Sequence, residues 1–161
     1  MFSWIQRQVG EKNKKDKKEP EPEPYWGNTI EFVFPTTGGK VIKVYDGDTI
    51  TIASKLPYEG SPYYRLNVRL DGIDCPEIKG KTDEEKQVAV EAREFVASLV
   101  LGRMVRLENV KSEKYGRLLA RVYVDDVCVN DLLLKHHFAV SYDGGSKHVP
   151  ESWVQYRQQQ I

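Results

Sequence analysis

The stretch Val41-Ile42-Lys43-Val44-Tyr45-Asp46-Gly47-Asp48-Thr49-Ile50-Thr51-Ile52-Ala53 decides the fold. Residues 41–44 and 50–53 are rich in β-branched side chains, and the tight Asp46-Gly47-Asp48 turn between them predicts two neighbouring strands. Downstream, residues 64–70 alternate Leu66, Val68 and Leu70 with Arg65, Asn67 and Arg69, so Arg69 points away from the core-facing set. Upstream, residues 29–34 alternate around Ile30, Phe32 and Phe34. That pattern predicts a half-buried strand ended by Pro35 and the Gly38-Gly39 pair. Thr82-Asp83-Glu84-Glu85 reads as a capping box, with Thr82 as N-cap and Glu85 three residues on. Behind it Val88, Ala92, Phe95, Val96 and Leu99 recur at helical spacing, and Gly102 supplies the stop, which predicts one helix of about five turns. Strand character returns over 104–110 and 118–124, Asp125-Asp126 marks a hairpin turn, and 130–137 reads as a second short helix. Strands, helix, strands and helix define an α+β fold with a mainly antiparallel sheet. Some five short curved strands with an inserted helix suit an OB-fold, a five-stranded β-barrel with packed helices.

The chain has 161 residues, enough for one ordinary domain that buries a core without disulfides or a structural metal. Two cysteines exclude a disulfide-dense mini-protein, and no apolar run is long enough for a transmembrane segment. The opening residues break off before an apolar signal region forms, so no secretory signal is read and an intracellular location is favoured. Twenty-four basic and twenty-four acidic side chains cancel, which excludes a nucleic-acid binder that relies on a large positive excess. The charges are blocked, however. Residues 11–18 carry five lysines against two acids, and residues 19–24 alternate three glutamates with three prolines. Residues 1–24 therefore read as a disordered, locally stiff tail, and 25–161 as the folded domain. Within the tail, Phe2, Ile5 and Val9 have the spacing of a short amphipathic helix, which would give residues 1–10 a weak peptide or membrane-surface contact; a frayed terminus is the plainer reading. A monomer is expected.

Four acids carry the chemistry: Asp46 and Asp48 around Gly47, and Asp74 and Glu77 around Pro76. Hard oxygen ligands of this kind select Ca²⁺ or Mg²⁺ over softer metals. Arg69 precedes Asp74 by five residues, and Arg117 closes Lys114-Tyr115-Gly116-Arg117 between two later strands. Two guanidinium forks facing a carboxylate-held cation are what phosphodiester hydrolysis asks for, because charge grows on phosphate oxygens as the fifth bond forms. A zinc site is excluded by spacing: His136 and His137 are adjacent on a helix, and Cys75, Cys128 and His148 fit no zinc pattern.

Asp46-Gly47-Asp48-Thr49, then Val68-Arg69-Leu70-Asp71-Gly72-Ile73-Asp74-Cys75-Pro76-Glu77, then Lys114-Tyr115-Gly116-Arg117 resemble the staphylococcal nuclease (thermonuclease) family in order and spacing. The resemblance covers roughly residues 40–144, and Val129-Asn130-Asp131-Leu132-Leu133 also fits it. It implies an OB barrel and a Ca²⁺-dependent nuclease acting on DNA and RNA with low sequence specificity, with single strands favoured and a 3′-phosphate left at the cut. By the same resemblance, Asp48 and Asp74 are the carboxylates that ligate Ca²⁺, Cys75 offers its backbone carbonyl, and Asp46 reaches the metal through water. Glu77 stands where the family places its general base or water-orienting acid, and Arg69 and Arg117 match the phosphate-binding arginines. Lys114, Tyr115 and Tyr142 match the edge of the nucleotide pocket.

Three departures bear on activity. Tyr142 is the one clear candidate for the family's nucleotide-contacting tyrosines near the C-terminus. Cys75 stands where a hydroxyl residue is usual, which leaves the carbonyl ligand intact but puts an oxidisable thiol beside the site. Asp71 shares Arg69's face by alternation, and is open to pairing with Arg69, adding negative field at the metal, or serving as an exposed pairing partner. The competing function is a catalytically weak or inactive OB-fold module that binds nucleic acid or protein.

Overall fold

Strands β1 (Gly38–Asp46) and β2 (Thr49–Ser54) form the expected antiparallel hairpin in the computed structural model, which describes residues 21–159. The chain divides after Glu31, and everything from β1 onward belongs to the second of its two units. β2 pairs with β3 (Tyr64–Leu70), whose bounds match the predicted strand. On its other side β1 pairs with β5 (Met104–Ser112), and β5 pairs with β6 (Leu118–Val124). A short parallel ladder between β3 and β6, Val68 opposite Leu118 and Leu70 opposite Ala120, closes five strands into a barrel. This is the α+β, OB-type architecture expected from the sequence.

Two-residue strands add detail: β4 (Ile73–Asp74) pairs with β8 (Val140–Ser141), and β7 (Val127–Cys128) continues from β6. The β6–β7 turn has Asp125 at φ 44° and Asp126 at φ 62°, the left-handed pair that a two-residue hairpin turn requires.

Helix α1 (Asp83–Val100) has the predicted five turns. Glu85 N donates to the Thr82 hydroxyl at 3.1 Å, but the Glu85 carboxylate reaches back to Lys81 N, one residue earlier than a capping box requires. Gly102, at φ 77°, ends the helix and donates its N–H to Val41 O of β1, so the helix stop is stitched to the barrel. One face of α1, Val88, Ala92, Val96 and Val100, seals the barrel core of Val41, Ile50, Ile52, Val68 and Leu70 in a single apolar cluster. α2 (Val129–Lys135) starts one residue before the expected helix and ends two before it, and α3 (Trp153–Gln158) was not expected.

The predicted strand at 29–34 does not form. Residues 29–37 carry no strand, Ile30 is 96% exposed and Phe32 70% exposed. None of the ladders among the described residues includes residues 29–34, and alternation alone cannot supply a partner strand. Only Phe34 packs partly against the core, with Phe32 edge-on to it. The readings made for residues 1–20 lie outside the described residues. No described helix is long and apolar enough to cross a membrane.

Candidate active site

The β1–β2 turn supplies Asp46 and Asp48, and its glycine is required by close approach. A Cβ on Gly47 would lie 2.9 Å from both the Ala92 Cβ of α1 and the Cys75 Sγ. The turn is thereby pressed between the helix and the loop that carries Asp74. β3 delivers Arg69, and the β3–β6 ladder sets it opposite Leu119, two residues past Arg117. The β4–β8 pair holds Asp74 opposite Val140, which draws the 142–147 segment over the same opening. These elements enclose one open cleft of about 860 Å³. Asp46, Asp48, Arg69, Asp74, Cys75, Glu77, Lys114, Tyr115, Arg117 and Tyr142 all line it, so every candidate residue read from the sequence is brought to one place.

Arg69 is the hub. It points away from the barrel core as alternation predicts, yet it is only 9% exposed, because the cleft walls cover that face. Its guanidinium holds Asp48 through one nitrogen, and Asp74 Oδ1 at 3.0 Å and the Ile73 carbonyl at 3.2 Å through the other. Both carboxylates are themselves buried. Burial opposes the charge on Arg69, but the Asp48 and Asp74 carboxylates outweigh it and hold the guanidinium more firmly protonated than in water. The Tyr142 ring lies 5.8 Å from the guanidinium.

Burial, and then the neighbouring Asp48 carboxylate, push the Asp46 carboxyl up to about 7. Negative charge is crowded here, and a cation would relieve it. Asp48 accepts from the Thr49 hydroxyl at 2.9 Å and lies 3.4 Å from the Cys75 amide nitrogen. The Cys75 thiol is 3% exposed, and burial, with Asp48 next in effect, raises its pKa. A thiol so placed is protected from the oxidation that its position suggested.

Arg117 forms a two-pronged pair with Glu113, at 2.6 and 2.8 Å. Asp71 does not pair with Arg69: its carboxylate turns to Lys111 Nζ at 3.1 Å, on the outer rim. Of the readings open for Asp71, the exposed pairing partner is the one this contact matches, and pairing with Arg69 is not made, although both residues line the cleft.

Lys147 was missed. Its ammonium bridges Asp74 Oδ1 and Glu77 Oε1, both at 3.1 Å. Burial works to lower its pKa, but the Glu77 and Asp74 carboxylates together outweigh it and raise it. Nothing in the sequence marks Lys147, since its place depends on the two-residue β4–β8 ladder. Asn130 was noted only within a matching segment. Buried, it donates to Asp71 O at 2.7 Å and accepts from Val122 N at 3.0 Å, which fixes the turn leading to Asp74.

The donor set consists of hard oxygens from Asp46, Asp48 and Asp74 with the adjacent Cys75 carbonyl, and one guanidinium spans Asp48 and Asp74, so their chemistry fits Ca²⁺ or Mg²⁺. Among the described residues, no three His, Cys, Asp or Glu side chains stand together as a finished metal cage. Cationic side chains, Arg69 and Lys147, satisfy the carboxylates instead.

Residues 67–160 match the family described as staphylococcal nuclease homologue; the β1–β2 turn with Asp46 and Asp48 lies ahead of that span. The chain is 35% identical over 102 residues to a thermonuclease of Staphylococcus hyicus, covering 62% of this chain and 56% of that protein. It is also 35% identical over 75 residues to the probable endonuclease LCL3 of Phaeosphaeria nodorum, covering 47% of this chain and 25% of the relative. An uncharacterized protein of Bacillus anthracis is 31% identical over 108 residues, 65% of this chain and 47% of that one. The chain thus spans between a quarter and somewhat over half the length of these relatives.

Proposed function

The chain belongs to the staphylococcal nuclease family, and from that premise we propose that it is a Ca²⁺-dependent phosphodiesterase that hydrolyses DNA and RNA with little sequence preference. The observation that carries this reading is the convergence of Asp46, Asp48, Asp74, Glu77, Arg69 and Arg117 on one cleft. Asp48 and Asp74 would hold the ion directly, with the Cys75 main-chain carbonyl, and Asp46 would hold it through water. When bound, Ca²⁺ supplies Lewis-acid polarisation of a phosphate oxygen and a more acidic water.

The chain's own residues do the rest. Arg69 and Arg117 present planar forks to the phosphate, each exchanging a carboxylate partner for phosphate oxygens as substrate enters. Their grip strengthens as the phosphorus becomes five-bonded and its charge rises. Glu77, exposed and held by Lys147, would orient or deprotonate the attacking water. Lys114 and Tyr115 stand together at the rim, the ammonium 4.9 Å from the ring centroid, where a base can stack and a phosphate can be met. Contacts of this kind read phosphate, sugar and base faces rather than base edges, which accounts for breadth of substrate. A cleft of this size admits a single flexible strand in preference to a duplex.

One observation favours a second reading, a module that binds nucleic acid without cutting it. Arg69, Arg117 and Lys147 are all engaged by carboxylates, so the cationic groups are already paired within the chain.

Cleavage of single-stranded and duplex DNA and of RNA in Ca²⁺, in Mg²⁺ and in EDTA separates the two readings, with Glu77→Gln and Arg69→Ala alongside. Ca²⁺-dependent cutting lost in both variants is expected. Arg69→Ala should lower turnover by about 10²–10³, as for loss of a preorganised charge-stabilising donor. Tight binding with no cutting in any metal would make the protein a binding barrel.

A further inference from the structure

The outer face of the β1–β2–β3 sheet is built in rows that lead out of the cleft. Strand register places Asp46, Thr49 and Arg69 side by side at the cleft, then Lys43, Thr51 and Asn67, then Lys40, Ala53 and Arg65. The central strand contributes only the short side chains Thr49, Thr51 and Ala53, while the flanking strands contribute long ones, all exposed beyond the first row. The result is a shallow trough with a low floor and polar walls. It ends at the β2–β3 connection, where Lys55 Nζ sits 5.0 Å from the centroid of the exposed Tyr63 ring. At the cleft end, the exposed Tyr45 ring has Lys43 Nζ at 5.7 Å.

Charge separates this face from the rest of the molecule. The whole chain is neutral, yet β1, β2 and β3 carry no acid except Asp46, against Lys40, Lys43, Arg65 and Arg69. Successive rows are two residues apart, or roughly 6.8 Å, so the path from Arg69 to Tyr63 runs about 20 Å. That is room for about six nucleotides at the ~3.4 Å spacing of a stacked strand, within the site sizes of OB barrels.

We propose that this trough is a single-strand track, binding DNA or RNA that extends beyond the cleft through Lys43, Lys40 and Arg65, with Tyr63 as a stacking platform at its far end. The inference rests on the nucleic-acid reading of the cleft and extends it to a second stretch of the substrate. Backbone phosphates meet the cationic walls, and the floor, with no large side chain, lets the strand lie close. The Thr51 hydroxyl donates to Asn67 Oδ1 at 2.9 Å, which leaves the Asn67 amide hydrogens for a base or sugar oxygen.

The test measures binding of labelled dT12, U12 and dT3 by fluorescence anisotropy in EDTA, using the full chain, Lys40→Gln/Lys43→Gln/Arg65→Gln, Tyr63→Leu and an equal charge removal elsewhere, Lys86→Gln/Arg93→Gln/Lys135→Gln on the helices. The wild type should bind dT12 and U12 at least tenfold more tightly than dT3. The trough triple variant should lose most of that advantage while binding dT3 within twofold of wild type. Its log–log salt slope for dT12 should fall by about two, since three phosphate contacts on a single strand count about 0.7 each. Tyr63→Leu should weaken dT12 several-fold and leave dT3 unchanged, and the helix variant should change neither. Equal affinity of wild type for dT3 and dT12, or no binding to any oligonucleotide, overturns the track, while the cleft reading is decided separately by the Ca²⁺ cleavage assay. Unchanged dT12 affinity and slope in the trough variant, or equal loss in the helix variant, overturns it as well. Competition by polyglutamate as strong as by dT12 would make the face a general polyanion surface, and the single-strand assignment would fall.

Discussion

Lys147 and a divalent cation want the same oxygens. Its ammonium sits 3.1 Å from both Asp74 and Glu77, so any cation taken up by Asp74 must displace it or share with it. Lys147 and Glu77 are half-exposed, and a pair so screened by water is worth about 0–1 kcal/mol. The buried Asp74 keeps Arg69 as a partner when Lys147 is removed. Lys147→Met is therefore expected to tighten Ca²⁺ binding by about two- to fivefold in isothermal calorimetry. Weaker binding in the variant would mean that Lys147 supports the carboxylate geometry rather than competing for it. Asn130 is the reverse case, a buried polar residue whose partners are all within the chain. Asn130→Ala strands Val122 N and Asp71 O, and each unsatisfied buried group costs about 1–3 kcal/mol. Urea unfolding should show a loss of at least that size, against under about 0.5 kcal/mol for the exposed Lys135→Ala. Equal effects would mean that water replaces the amide without cost.

Elements transmit such residue effects to the cleft, and Gly47 shows how. The β1–β2 turn can approach α1 only because position 47 lacks a Cβ; an added methyl would meet Ala92 and Cys75 at 2.9 Å. Gly47→Ala is expected to destabilise by about 1–3 kcal/mol through overpacking, read as a lower urea midpoint with an unchanged slope. Because Ala92→Gly inside α1 itself costs about 1 kcal/mol, the Gly47→Ala/Ala92→Gly pair should lose less than the sum of the two single variants, and a loss equal to that sum would mean that the Ala92 contact contributes nothing. The same elements explain what was legible in advance. β3 and α1 carry long, clean periodicities, 2 in Tyr64–Leu70 and 3.6 in Asp83–Val100, and both were placed from the chain alone. Of the ten candidate residues, the four acids and two arginines were readable because three short motifs together gather carboxylates and guanidiniums, although Asp-Gly alone is ordinary turn chemistry. Cys75, Lys114, Tyr115 and Tyr142 followed only from the family resemblance. Ladders of two residues left no periodic trace, so β4, β8 and the Lys147 contact they create were invisible. The strand expected at 29–34 failed for the opposite reason. Its local alternation was sound, but pairing is decided by a barrel closed elsewhere in the chain, between β3 and β6.

At the scale of the whole molecule the net charge is zero, so general ionic screening has little leverage on folding stability. A cation effect on melting must then arise at a site, and the cleft is where carboxylates are concentrated. Arg69 is shared between Asp48 and Asp74, and burial with the Asp48 charge pushes the Asp46 carboxyl up to about 7. Ca²⁺ bound only by the folded chain adds RT ln(1 + [Ca²⁺]/Kd), about 1.4 kcal/mol at ten times Kd. For a body of this length that raises Tm by several degrees. Calorimetric or fluorescence melting in millimolar CaCl₂ should show the rise, with NaCl of matched ionic strength as the control that should not. Asp48→Asn should melt lower than wild type in EDTA, because the buried Arg69 loses a charged partner, and should gain little from Ca²⁺. On the proposed reading the two effects have opposite causes in one side chain: Asp48 pairs with Arg69 and would exchange that partner for the metal. A wild-type Tm unmoved by Ca²⁺ beyond the NaCl control would remove the metal from the cleft. Arg69 would then remain the permanent partner of both carboxylates, and the barrel would act by binding alone.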